Sequence, residues 1–152
     1  MNRRVGNALL MLALLLACGW VRPAAADSSA RIVRLSYMDG NVQMDRRTGQ
    51  GFEDAILNMP IVQGARVWTR GNDALAEVEF EDGSTLRLAP QTIVNFEELS
   101  LQSSGTKVNL IDVQEGMVYV NVKKGGEDFR ITAGNREFDA SRSSHFRIDV
   151  TK

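Results

Sequence analysis

The sequence predicts an all-β fold of short antiparallel strands and hairpins, arranged as a two-layer sandwich or a twisted, solenoid-like stack. Three observations predict it. Beyond residue 30, apolar and polar residues alternate at period two along most of the chain, the pattern of a strand with one dry face. Glycine-bearing turn signals separate these runs every ten or so residues. No stretch of that region carries a helical stripe. The best candidate, Glu53 to Met59, is too short to stand alone and stops before Pro60.

The first 26 residues are read apart from the fold. Arg3 and Arg4 open the chain, Ala8 to Val21 carry no charge, and Arg22, Pro23 and Ala24-Ala25-Ala26 follow. A basic start, a short apolar core and a small-x-small exit at Ala24 and Ala26 make a secretory signal peptide, with cleavage expected after Ala26. The apolar run is shorter than the ~20 residues of a membrane-spanning helix. Leu15-Leu16-Ala17-Cys18 offers a second reading, a lipoprotein anchored at Cys18, although Leu16 is large for such a motif. The alanine exit is the cleaner signal, so the periplasm is the expected location. Residues 27–30 are then a short linker and 31–152 the folded domain.

Taken in order, Val33, Leu35 and Tyr37 alternate, then Asp39-Gly40, then Val42 and Met44. The apolar positions change parity between these two runs, which predicts a two-residue Asp39-Gly40 hairpin turn. Ala76, Val78 and Phe80 keep the parity of Leu86 and Leu88. A two-residue Asp82-Gly83 turn would set Phe80 against Thr85 and put polar groups on the dry face. A three-residue loop, Glu81-Asp82-Gly83, instead sets Val78 against Leu86, Ala76 against Leu88 and Glu77 against Arg87. Gly83 then takes the left-handed position. Parity changes again between Val113 and Val118, which predicts a tight turn at Glu115-Gly116. Lys123 to Asp128 form the next connection, and Phe129 with Ile131, then Phe146, Ile148 and Val150, make the last strands.

Composition narrows the chemistry. Removal of the leader takes three of the 18 basic residues and none of the 19 acidic ones, leaving a mildly acidic chain without cysteine. Disulfide and thiol chemistry are excluded in that form, and nucleic acid is a poor partner for a surface lacking basic excess. Asp82 and Ser84 lack the base and orienting group that nucleophilic serine chemistry needs. The single histidine, His145, falls on the polar side of the last strand. One histidine offers no zinc set, and no calcium-loop pattern is present, so neither metal nor cofactor is expected. Glu97 and Glu98 are adjacent carboxylates, but on a strand neighbours point to opposite faces. Trp68 beside Val67 is read as core by default, with an exposed aromatic for a sugar or protein as the alternative; Tyr119 is the other candidate for such a platform.

Leu57 to Phe96 resembles the FecR domain. The resemblance is carried by Gly64, Thr69, Ala74, Ala76, Phe80, Asp82-Gly83-Ser84, Leu86, Leu88 and Pro90, with Leu110, Gly116 and Val118 similar to its later glycine turn and Phe129 with Ile131 to its next strand. It covers about Ala30 to Val150. It implies a periplasmic domain of the kind found in regulators that relay receptor occupancy to a sigma factor, and implies no enzyme. The chain departs from those regulators in three ways. Only seven residues precede its apolar run, so a sigma factor held through their cytoplasmic helical domain is not expected. Ser143-Ser144 stands where the family usually has Gly-Thr or a similar small pair, so an altered turn is expected, and the chain stops at Lys152, just after the Phe146 strand, so a shortened sheet or a fragment is expected. The resulting expectation is a non-catalytic interaction module whose partner is another envelope protein. A carbohydrate- or peptidoglycan-binding β module is the alternative.

Overall fold

The computed structural model describes residues 31–123, 127–140 and 142–151. The expected leader, with Cys18, Ala24 and Ala26, and the expected linker 27–30 lie outside the described residues. The described chain holds ten strands and no helix: β1 Val33–Asp45, β2 Phe52–Asp54, β3 Pro60–Ile61, β4 Arg66–Glu79, β5 Thr85–Leu88, β6 Thr92–Leu101, β7 Lys107–Val122, β8 Asp128–Ala133, β9 Arg136–Asp139 and β10 Ser144–Val150.

All ten belong to one hydrogen-bonded sheet, and three long strands give it its form. The first half of β1 pairs with the second half of β4, and the second half of β1 with the first half of β4. β5 and β6 follow one another between β4 and β7, β5 on one half of each and β6 on the other. β10 continues the sheet beyond the second half of β7, while β8 lies parallel to its first half and carries β9. The sheet is folded over, so its two halves become the layers of a sandwich. One layer runs β3-β1-β4-β5-β7-β10 and the other β2-β1-β4-β6-β7-β8-β9. A single apolar core lies between them, and Phe80 from one layer meets Phe129 from the other edge-to-face at 4.9 Å.

Two expected turns are absent, for one physical reason. β1 runs straight through Asp39-Gly40, and β7 straight through Glu115-Gly116. The parity changes come from inserted residues instead. The register of β1 on β4 shifts at Ser36, and that of β7 on β6 at Gln114. Each extra residue moves the dry side by one position. After Ser36 the inward residues are Met38, Val42 and Met44, and Tyr37 turns out to solvent at 48% exposure rather than joining Leu35 in the core. β4 carries the larger insertion, residues 71–73, which falls between the partners of Gly40 and Asn41. It switches the inward set from Val67 and Thr69 to Ala74, Ala76 and Val78.

The glycines of these two segments therefore have a different task. A Cβ at Gly40 would lie 3.0 Å from the Ala74 Cα across the ladder. At Gly116 it would lie 2.4 Å from Thr92 Oγ1 and 2.6 Å from the Gln91 carbonyl, and φ is +87°. Gly116 is where β7 passes under the jog between β5 and β6. Two buried threonines stitch that jog. Thr69 Oγ1 donates to the Ala89 carbonyl at 2.6 Å and accepts from the Thr92 amide at 3.0 Å; Thr92 Oγ1 accepts from the Met117 amide at 3.0 Å.

The β4–β5 hairpin has the register that parity demands: Ala76↔Leu88, Glu77↔Arg87, Val78↔Leu86. The Phe80 amide donates to the Ser84 carbonyl, the Gly83 amide to the Phe80 carbonyl, and Gly83 sits at φ +79°. A Cβ there would meet only the flexible end of Lys123, at 3.2 Å. Chemical denaturation should separate the two glycines. Gly83→Ala is expected to cost about 1 kcal/mol, the cost of a left-handed backbone alone. Gly116→Ala should cost roughly 3 kcal/mol or more, because strain is joined by a clash with backbone that cannot move aside.

Candidate functional site

Asp82-Gly83-Ser84 is the first candidate, and the side-chain oxygens of Asp82 and Ser84 are engaged. The Asp82 carboxylate accepts from the Ser84 amide at 2.8 Å and from the Ser84 hydroxyl at 2.6 Å. The same hydroxyl accepts from the Lys123 amide at 3.0 Å, and Ser84 has no exposed surface. The aspartate locks the turn in the manner of an Asx turn, and the serine ties it to the end of β7. An attacking oxygen needs an exposed lone pair and a base, and this one is buried against a carboxylate and an amide.

A second polar cluster lies where the ends of the two layers meet. The Arg31 side chain is 5% exposed. Its guanidinium donates to both carboxylate oxygens of Glu81 at 2.7 and 3.0 Å, to the Ser100 carbonyl at 2.8 Å, to the Val108 carbonyl at 3.1 Å and to Asn109 Oδ1 at 2.7 Å. Asn109 passes the chain on to Glu127, which pairs with Lys107 at 3.2 Å. Burial pushes the Glu81 carboxyl up, but the Arg31 fork, the Ile32 amide and the guanidinium charge together outweigh it. The group is held at about 2 against an ordinary 4.5. Asp45 is likewise held below its usual range, by the Arg66 guanidinium at 2.6 Å and then by the Arg47 amide. Nothing in the sequence marks Arg31 for this role, because it precedes the first alternating run.

The surface features stand on the outer face of the β1-β4-β5-β7-β10 layer. Cross-strand neighbours there form one row: Tyr37, Glu77, Arg87, Tyr119 and Arg147. Glu77 Oε2 receives both Arg87 Nε and Nη2, at 3.1 and 2.6 Å, and Ser36 Oγ lies 3.2 Å from its other oxygen. Tyr37 and Tyr119 flank this fixed guanidinium and are 48% and 40% exposed. A hollow of about 320 Å³ lies on the Tyr37 side of Arg87. Another, of about 240 Å³, lies on the Tyr119 side beside Thr85, Asn121 and His145. His145 is exposed and sits opposite Asn121. Tyr37 escapes the sequence reading because the Ser36 insertion is invisible to it.

Trp68 is not core. It projects from the outer face of the other layer, half-buried, with Phe52 edge-on at 5.4 Å and the Arg70 guanidinium 4.5 Å above its ring. A ring covered in this way offers less of a platform than Tyr119. Glu97 is the extra residue of a further register shift between Phe96 and Glu98. Among the described residues no group of three or more His, Cys, Asp or Glu could hold a metal ion.

Compared with protein families, residues 65–152 match the family model described as FecR protein. No curated protein and no solved structure matches the chain. The matched range begins just before β4. β1 lies outside it, yet pairs with β4 along nearly its whole length, so one fold includes both.

Titration should expose the Arg31–Glu81 pair. A depressed carboxylate contributes stability that is complete above its unfolded value and drains as pH falls through its folded value. That places the loss between pH 4.5 and about 2. In urea titrations across this range Glu81→Gln should show a shallower decline than the parent. At neutral pH it should be less stable by on the order of 3 kcal/mol, since Arg31 is left buried without its counter-charge.

Proposed function

Because the chain belongs to the FecR family, we propose that it is an exported, non-catalytic interaction module of the bacterial envelope, acting in signalling by binding another envelope protein. The periplasm is the proposed place of work, after release from the leader at Ala26; anchoring at Cys18 is the alternative route. The observation that carries the reading is the row of Tyr37, Arg87 and Tyr119 on a rigid sheet face. Tyrosine and arginine are residue types that dominate protein-binding hot spots, and Arg87 is already oriented by Glu77, which lowers its ordering cost on binding. The chain's other marked polar groups have structural partners: Thr69, Asp82, Ser84, Arg31 and Glu81 all hold the fold together.

A second reading rests on Tyr119 alone. An exposed ring beside Thr85, Asn121 and His145 is also a small carbohydrate platform, suited to a cell-wall glycan.

In-cell photo-crosslinking distinguishes the two. A photoreactive residue placed at Tyr119 or Tyr37 should give a discrete protein adduct. The same residue at Ser103, on the exposed β6–β7 loop, should not. Arg87→Ala should abolish the adducts, and Tyr119→Ala should weaken binding to the captured partner by about 2 kcal/mol. Absence of any protein adduct, together with Tyr119-dependent retention on purified peptidoglycan, would move the function to glycan binding.

A further inference from the structure

We propose that β10 is a self-association edge, on which a second copy of this chain adds its own β10 antiparallel about a two-fold axis at Ile148. The inference does not rest on the tyrosine row, although Arg147, which borders Tyr119 in that row, belongs to this edge as well.

β10 pairs with β7 on one side, and no described strand covers its other side. Next to that open side the two layers diverge. β8 and β9 follow one layer and β10 the other, leaving a cleft of about 590 Å³ lined by Ala133, Phe138, Phe146, Ile148 and Val150 among others. Phe138, Phe146 and Val150 pack against the core while only partly covered. Among the described residues this edge is therefore open. An uncovered edge strand is a template for another strand.

The sequence of the strand selects its occupant. Phe146, Ile148 and Val150 face inward, and His145, Arg147 and Asp149 face outward and are exposed. Antiparallel pairing of β10 with its own copy keeps the inward residues together only if paired numbers have an even sum. Centring the axis on Arg147 would set two guanidinium groups against each other. Centring it on Ile148 sets Arg147 against Asp149 of the second copy, twice, and Phe146 against Val150 of the second copy, twice. Within the described residues neither Arg147 nor Asp149 has an ion-pair partner, so both are available. The inward side chains of each copy's β10 then lie over the cleft of the other. The contact is isologous and closed, as a two-fold dimer requires.

Sedimentation velocity on the purified protein, over micromolar to submillimolar concentration, tests this. The parent should show a monomer–dimer equilibrium. Arg147→Asp and Asp149→Arg each create two like-charge pairs and should weaken dimerisation by about tenfold or more. The double variant R147D/D149R should dimerise again. An equimolar mixture of the two single variants should form the mixed dimer, because each then supplies what the other lacks. Circular dichroism should show all of them folded, since both positions are exposed. A parent that stays monomeric throughout, single variants that dimerise like the parent, or a double variant that is not rescued would each overturn the assignment.

Discussion

A single sheet can enclose a core only by bending back on itself, and in this protein the bending depends on residues that have no counterpart on the neighbouring strand. Ser36 in β1, residues 71–73 in β4, the jog between β5 and β6 and Gln114 in β7 are such insertions. An unmatched residue increases local twist and tilts the strand beyond it. It also exchanges the wet and dry sides, and the hydrophobic pattern of each strand changes parity to match. The close approach at Gly116 and the threonine stitches at Thr69 and Thr92 follow, because bent strands cross where flat ones would only lie side by side. An open ladder of the same pairings would leave Phe80 and Phe129 in water; folded over, it brings their rings together.

This geometry also explains what could be read in the sequence. The all-β class was legible from alternation, and the register of the β4–β5 hairpin from the shared parity of Val78 and Leu86. Both rest on local rules. The failures share one cause. A change of parity beside a glycine has two physical origins, a two-residue turn or an inserted residue in an unbroken strand. At Asp39-Gly40 and Glu115-Gly116 the sequence looks alike for both. What separates them is the neighbour: both halves of β1 pair with β4, and β7 runs on past β6 to pair with β5 and β10, strands that local pattern does not reveal. Tyr37 and Arg31 were missed for the same reason, since one is displaced by Ser36 and the other is placed by partners far along the chain. Trp68 was misplaced because adjacency to Val67 says that one of the two faces out, but not which.

The residues that mark the family are mostly architectural in this structure. Gly64 donates its amide to the Phe96 carbonyl, Thr69 holds the jog, the Ala74 backbone comes close over Gly40, and Asp82 and Ser84 lock the hairpin. On the proposed reading, recognition falls to the outer faces and the open edge, away from these architectural positions. A scaffold fixed by its turns and crossings can change its surface without changing its fold.

The Arg31 slot has a consequence for the order in which the molecule assembles. Its contacts span 50, 69, 77 and 78 positions of sequence. The first described residue can therefore settle only after everything through Asn109 is in place. A chain is synthesised amino end first, so the earliest of the described segments to appear is the last to lock. Contacts of such long range slow folding, and until they form the seam between the layers stays unsealed at the Arg31 end.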